Sequence, residues 1–166
     1  TLSEVLMALG SPYKKSRGDI DDPNYGFTIN RKTLADHHHD VDLTEDETHK
    51  IRNAKNEHPY MGFMPFPDKT DRPARTVVAT QLGRETLVLE TVKGRFRRPT
   101  VRECATIQTF PLDYHFFGNS IGSRYKQVGD AVPPLIVKKI AEEIYRLEGI
   151  TIPKIKLVRP HRPPPP

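Results

Sequence analysis

The sequence predicts a mixed fold of α-helices and β-strands, mainly a small β-rich lobe followed by a C-terminal amphipathic helix. Two strand-like segments joined by a short link, Thr76–Thr80 and Glu85–Val92, predict a hairpin. Apolar residues recur at helical spacing after Pro134 and predict the final helix. The chain has 166 residues, which suits one ordinary domain or one lobe of a larger protein.

The first third of the chain predicts two helices separated by a loop. Apolar residues at helical spacing predict a short helix over 2–9, which Gly10 ends. Turn-forming residues over 11–33 predict an ordered loop. A polar segment over 42–56 predicts a second helix, because its Thr44 and Glu47 have the spacing of a capping box.

The middle of the chain predicts extended structure. Four prolines over 57–75 favour an extended segment before the predicted hairpin. The second strand alternates Leu87 and Leu89 with Thr86 and Val88, as a half-buried strand does.

The last third predicts two further helices. Thr100 and Glu103 form a capping-box pattern, and Pro111 ends the helix that they begin. The final helix begins at Pro133–Pro134 and ends at Gly149. One face is apolar, and the other has the spacing for Lys138–Glu142 and Glu142–Arg146 ion pairs. The apolar face therefore needs a partner surface.

Charge and composition restrict the function classes. The net charge is +5, and the basic excess lies after residue 60: residues 1–60 have a net charge of −3, residues 61–100 of +4 and residues 101–166 of +4. A basic surface favours a polyanion such as nucleic acid, although charge alone leaves a solvated surface equally open. No apolar run is long enough to cross a membrane, and no leader pattern opens the chain.

The single cysteine, Cys104, excludes an internal disulfide framework and a multi-cysteine zinc cluster, so a reducing compartment, by default the cytoplasm, is expected. Its position inside a predicted helix favours a buried packing role over that of a nucleophile. The run Asp36-His37-His38-His39-Asp40 suggests metal binding, but consecutive residues cannot all face one ion, so a polar loop is favoured and no metal is expected.

Arginines are concentrated around the predicted hairpin. Six of them fall within 27 residues, which suits contact with phosphates as well as a solvated strand face. The chain also has 16 prolines, five of them in its last seven residues, so the tail over 150–166 is expected to be extended or disordered.

Two stretches go beyond these generic patterns. They are RPTVRECATIQTFP, from Arg98 to Pro111, and RYKQVGDAVPP, from Arg124 to Pro134. In this order they resemble the last two signature blocks of the DNA (cytosine-5) methyltransferases, R-x-x-T-x-R-E-x-x-x-x-Q-x-F-P and R-Y-x-Q-x-G-N-A-V-P-P. A weaker resemblance extends over most of residues 19–147.

The resemblance implies the α/β fold of a two-lobed S-adenosylmethionine-dependent methyltransferase. Residues 1–123 would form the small target-recognition lobe, including the first block. Residues 124–149 would form the last block and a helix that returns to the large catalytic lobe, and residues 150–166 the proline-rich tail. The missing large lobe would lie upstream in the same chain or on a separate subunit, and Thr1 in place of Met favours a longer natural polypeptide.

The resemblance also implies chemistry and partners. Such an enzyme flips a cytosine out of double-stranded DNA, attacks its C6 with a cysteine thiolate assisted by a glutamate, and methylates C5 from S-adenosylmethionine. A bacterial restriction-modification system is the expected setting.

The residues carried over from the family fall into three groups. The residues expected to bind the cofactor are Gly129, Asp130, Ala131 and Val132. The residues expected to act as a structural scaffold are Thr100, Arg102, Glu103 and Gln108. The Thr-hydrophobic pair near the flipped nucleotide is Thr76 and Val77, and the arginines expected to contact DNA are Arg84, Arg95, Arg97 and Arg98.

The sequence departs from the family pattern in ways that affect function. The Pro-Cys-Gln nucleophile loop, the Phe-x-Gly-x-Gly cofactor loop, and the Glu-Asn-Val and Gln-x-Arg-x-Arg blocks are absent, so no catalytic residue is expected in this chain and the chain alone should be inactive. Asp130 stands where the family has Asn, and an ionised carboxylate accepts hydrogen bonds but does not donate them. A DNA-binding module without catalysis is therefore the alternative, and a protein-binding domain that uses the proline tail ranks last.

Overall fold

The computed structural model describes residues 1–15, 17–57, 63–92 and 94–151. Within these ranges the chain forms five α-helices and two antiparallel two-stranded sheets. The helices are α1 (Leu2–Leu9), α2 (Glu45–Asn56), α3 (Val101–Ile107), α4 (Ile121–Asp130) and α5 (Pro134–Leu147). The strands are β1 (Asp19–Asp21), β2 (Thr28–Asn30), β3 (Leu89–Val92) and β4 (Arg95–Arg97).

The predicted N-terminal helix is confirmed as α1. Leu2 and Leu9 are buried, and Gly10 ends the helix with a φ of 78° that suits glycine. The guanidinium of Arg31 donates hydrogen bonds to the carbonyl oxygens of Leu9 (2.8 Å) and Ala8 (3.2 Å). Arg31 therefore satisfies carbonyls that the helix end leaves open.

The segment over 11–33, predicted as a loop, contains a small sheet. Strands β1 and β2 pair through Ile20 and Ile29, and Asp22 turns the chain between them by accepting hydrogen bonds from the backbone of Asn24 and Tyr25. The other oxygen of Asp22 accepts a hydrogen bond from Leu112 N at 2.7 Å. Strands of three residues are too short to give a clear alternation signal, so the sequence did not reveal them.

Helix α2 begins where the sequence predicts. Thr44 and Glu47 make both hydrogen bonds of the capping box. Near its end, Lys55 is buried and contacts Asp68 at 2.9 Å, and Arg75 also pairs with that carboxylate. Hydrogen bonds from both cations and from Val88 N outweigh the effect of burial and lower the pKa of Asp68. The contacts fix the extended segment over 63–75 against α2.

The predicted hairpin of Thr76–Thr80 with Glu85–Val92 is wrong. The observed hairpin lies later in the chain and pairs Leu89 with Arg97. The residues that follow Thr76 do not join a sheet because Val77 is buried in the core beside α3 and α4. The described part of the chain consequently has more helix than strand, which differs from the predicted β-rich lobe.

Helices α3 and α4 pack together around the main apolar core. The core consists of Val77, Leu87, Val101, Cys104, Ala105, Phe110, Phe116, Tyr125 and Val128. The predicted capping box of Thr100 and Glu103 is confirmed, and α3 ends at Ile107, earlier than Pro111. The sequence did not predict α4, which contains two glycines, although Ser120 caps it by accepting a hydrogen bond from Ser123 N.

A second unit begins at Leu135, and its described residues are 135–151. The predicted final helix is confirmed as α5, and Ile136, Ile140, Ile144 and Leu147 are each more than half exposed. The predicted Lys138–Glu142 pair is observed at 3.8 Å, whereas Arg146 pairs with Glu143 instead of Glu142. Most of the predicted proline-rich tail lies outside the described residues. Among those described, no helix has the length and apolar character needed to span a bilayer.

Candidate functional site

The first signature block is organised around the buried carboxylate of Glu103. Its two oxygens accept hydrogen bonds from the Arg97 guanidinium at 2.7 and 2.8 Å, and one also accepts from Thr100 N at 2.7 Å. Burial lowers the pKa of Arg97, but the Glu103 carboxylate outweighs it, so the pKa is raised overall. The result is a closed, bidentate ion pair inside the lobe.

Arg102 is the second buried cation of this block. Its guanidinium donates to the carbonyl oxygens of Ala35 (3.1 Å), Pro111 (3.2 Å) and Tyr114 (2.5 Å). Burial lowers its pKa to about 10, which still leaves the group charged at neutral pH. Arg102 therefore links α3 to the segment around Ala35 and to the turn over 111–114, which is a structural role.

The two signature blocks contact each other directly. Gln108 donates to Val128 O at 3.4 Å, and the Tyr125 hydroxyl donates to Pro99 O at 2.6 Å. Gly129 lies so close to the backbone of residues 78–79 that a Cβ atom on it would be 2.2 Å from Ala79 N. No side chain other than hydrogen fits there, so this glycine allows α4 to approach the segment that follows Val77.

The close approach brings the predicted cofactor residues near the predicted nucleotide-contacting pair. Thr76 is exposed and Val77 is buried. Asp130 lies exposed at the end of α4 and pairs with Lys126 at 2.5 Å. Val132, two residues on, is 63% exposed. Cofactor and DNA contacts of these residues stay predictions.

The four arginines predicted to contact DNA fall into two groups. Arg84 and Arg95 are exposed. Arg97 is enclosed with Glu103, and Arg98 is only 8% exposed and donates to Glu47 Oε1 at 3.0 Å. Contact with DNA stays a prediction for all four, but Arg97 and Arg98 already have internal partners.

Cys104 lies within the core and is fully buried. Burial, and to a smaller extent the neighbouring Glu103 carboxylate, raise the pKa of its thiol well above the ordinary value. A thiol that is neither exposed nor ionised is not a nucleophile. The predicted packing role matches this environment.

The three histidines of the Asp-His-His-His-Asp run contact different parts of the protein. His37 lies between Thr100 Oγ1 (3.1 Å) and Gly10 O (3.2 Å), and burial lowers its pKa to about 4. His38 contacts Pro12 O, and His39 contacts the Tyr125 hydroxyl. Within the described ranges, no three His, Cys, Asp or Glu side chains come together as metal ligands would. Sequence reasoning had missed that His37 supports the Thr100 cap, because no spacing links residues so far apart.

Several known proteins are similar in sequence to parts of this chain. It is 43% identical over 77 residues to the type II methyltransferase M.AplI of Arthrospira platensis, a match that covers 45% of this chain and 22% of that protein. It is 56% identical over 45 residues to DNA (cytosine-5)-methyltransferase 1 of Mus musculus, covering 27% of this chain and 3% of that protein. It is 41% identical over 58 residues to the type II methyltransferase M.AquIB of Picosynechococcus, covering 29% and 42% respectively.

The chain thus spans less than half the length of these curated relatives. No solved structure matches it. The model of one protein family, C-5 cytosine-specific DNA methylase, matches residues 10–146 and so includes both signature blocks and the buried network that joins them. The chain belongs to the C-5 cytosine-specific DNA methylase family.

Proposed function

We propose that this chain is the C-terminal, DNA-recognising part of a DNA (cytosine-5) methyltransferase of a bacterial restriction-modification system, acting in the cytoplasm. The complete enzyme transfers a methyl group to C5 of a flipped cytosine in a specific sequence of double-stranded DNA. The observation that carries the proposal is the family match over residues 10–146. The packing of the two signature blocks against each other supports it.

Residues 1–123 serve as the target-recognition lobe in this proposal. The exposed Thr76, Arg84 and Arg95 are available for phosphates and base edges. Arg97 pairs with Glu103, and Arg98 pairs with Glu47. These two ion pairs fix the connection between β4 and α3, so both arginines support the DNA-contacting surface without lying on it.

The segment from Gly129 to Val132 forms one edge of the cofactor pocket. S-adenosylmethionine, when bound, supplies the methyl group. The exposed end of α4 fits such a role because the Asp130 carboxylate accepts hydrogen bonds from a cationic amine. Lys126 competes for the same carboxylate, so a bound amine must displace or share that ion pair.

The nucleophile must come from outside this sequence, since Cys104 is buried and protonated. A Pro-Cys-Gln segment in a catalytic lobe would supply it. Through its exposed apolar face, α5 packs on that lobe, which would cover Ile136, Ile140 and Ile144.

A reconstitution experiment tests the proposal. The chain is mixed with a cytosine-5 methyltransferase lobe that contains the Pro-Cys-Gln segment, and transfer of tritium from methyl-labelled S-adenosylmethionine to duplex DNA is measured. We expect transfer only from the mixture. Fluorescence anisotropy of labelled duplex DNA measures binding in parallel: R84A/R95A should weaken binding and flatten its salt dependence. The K138A/K139A control, which removes the same charge from α5, should bind as the parent chain does.

The alternative function, a DNA-binding module without catalysis, is favoured by Asp130 in place of Asn. It predicts salt-dependent DNA binding with no transfer from any mixture. If the parent chain gives no methyl transfer in the mixture and D130N restores it, the loss of activity is due to Asp130. Failure to bind DNA would contradict both functions.

A further inference from the structure

The turn that carries Arg84 is anchored inside the protein. Residues 82–85, called here the Arg84 turn, connect Gln81 to Thr86, and three of the four are exposed. Gln81 and Thr86, at the two ends of the turn, are both fully buried. Polar side chains inside a protein are costly unless they are paired, so the contacts of these two residues show what the anchor does.

The side-chain oxygen of Gln81 closes the turn. It accepts hydrogen bonds from the Thr86 hydroxyl at 2.7 Å and from Leu87 N at 3.2 Å. Because Leu87 N can only donate, the Gln81 atom at this position is the oxygen and not the nitrogen. The amide nitrogen of Gln81 is buried, and no acceptor among the described residues reaches it. The contribution of Gln81 therefore comes from its oxygen, which joins the two ends of the Arg84 turn.

Two further hydrogen bonds hold the backbone of the turn. Gly83 N donates to Thr80 O at 2.7 Å, and the Arg98 guanidinium donates to Leu82 O at 3.4 Å. The backbone on both sides of Gly83 is thus fixed, while the Arg84 side chain stays exposed. Less conformational entropy is lost on binding when the backbone that carries a contacting side chain is already ordered.

We propose that Gln81 is a positioning residue for DNA binding, because its side-chain oxygen fixes the turn from which Arg84 contacts the duplex. The proposal rests on the proposed function, in which Arg84 is exposed to DNA. An arginine binds a phosphate or a base edge through hydrogen bonds of defined geometry, so a displaced backbone weakens the contact even though the charge is kept. Arg95 lies on β4, whose pairing with β3 does not involve Gln81, so its contribution should not depend on the anchor.

A double-mutant cycle on the full chain tests the proposal. Q81M removes the accepting oxygen and replaces it with a flexible apolar side chain of similar length. Fluorescence anisotropy of a labelled DNA duplex at low salt gives the Kd of the parent, Q81M, R84A and Q81M/R84A. We expect R84A to weaken binding about tenfold and Q81M about threefold to tenfold. The double variant should match R84A within about twofold, because Arg84 is already misplaced in Q81M. R95A should weaken the parent and Q81M by the same factor.

A second pair of variants separates position from stability. T86V removes the hydroxyl that donates to Gln81, and it carries the test if Q81M does not fold. T106V is the matched control, because it removes the buried hydrogen bond from Thr106 Oγ1 to Arg102 O (2.9 Å) in α3, which takes no part in the turn. Both should lower the melting temperature to a similar extent. Only T86V should weaken DNA binding, and it should not weaken R84A further.

The outcomes distinguish this proposal from the proposed function. If folded Q81M and T86V bind DNA as the parent does, or if Q81M and R84A weaken binding additively, Gln81 does not position Arg84 and the proposed function still stands. Equal weakening by T106V would attribute the effect to lost stability and overturn the proposal, as would an R84A chain with the affinity of the parent. If the parent chain does not bind the duplex, the proposed function fails and this proposal fails with it.

Discussion

Replacing Arg97 with alanine separates a structural role from a DNA-binding one. The substitution leaves the fully buried Glu103 carboxylate with only the backbone N–H of Thr100 as a donor in the contacts described. Removing one partner of a buried ion pair costs about 3–5 kcal/mol. Domains of ordinary stability unfold with about 5–15 kcal/mol, so a large fraction of the stability would be lost. For a chain of this size the melting temperature should fall by on the order of 10 °C.

The assay is urea and thermal unfolding followed by circular dichroism, with R95A as the matched control. Arg95 is on the same strand but exposed, so its loss should change stability by no more than about 0.5 kcal/mol. The double variant R97A/E103Q should recover part of the loss, because an amide still accepts from Thr100 N and leaves no buried charge. A loss below about 1 kcal/mol in R97A, or equal losses in R97A and R95A, would refute the reasoning.

Three further predictions follow from buried contacts. Gly129→Ala should lower the free energy of unfolding in urea by about 1–3 kcal/mol, because its Cβ would lie 2.2 Å from Ala79 N. Gly122→Ala is the control: the nearest atom to its Cβ belongs to a flexible side chain at 3.3 Å, so its stability should stay close to that of the parent chain. Burial holds the pKa of His37 at about 4 in the folded chain, against about 6.5 in the unfolded chain, so the unfolded state binds more protons between these pH values. The free energy of unfolding should therefore fall by up to about 3 kcal/mol as the pH drops from about 6.5 to about 4. The fall should be smaller in His37→Gln, which has no imidazole to protonate. Cys104 should not react with a thiol reagent such as DTNB until the chain unfolds, and fast labelling of the folded chain would contradict its burial.

Local signals predicted four of the five described α-helices, and long-range contacts explain the error in the strands. The capping boxes at Thr44 and Thr100 are encoded within four residues, so the sequence located both helix starts. The first predicted strand failed because Val77 is buried next to a segment some fifty positions later, where Gly129 approaches its neighbours. Its β-branched residues fit a strand and a buried extended segment equally well.

In the candidate site, too, the sequence located the motifs but not the contacts between distant residues. The resemblance located the two signature blocks, and the structure places them in contact. Which arginines are buried could not be predicted, because the Arg97–Glu103 pair depends on how β4 turns into α3.

The hydrogen bonds of Arg102 have a consequence for the order in which the chain folds. Its contact with Ala35 closes a loop of 67 residues, and the contact of Asp22 with Leu112 closes one of 90. Contacts between residues so distant in sequence slow folding, because the entropy of loop closure is lost before the contact forms. During synthesis the N-terminal segments emerge well before α3, so Asp22 and the carbonyl of Ala35 stay solvated until residues beyond 112 leave the ribosome.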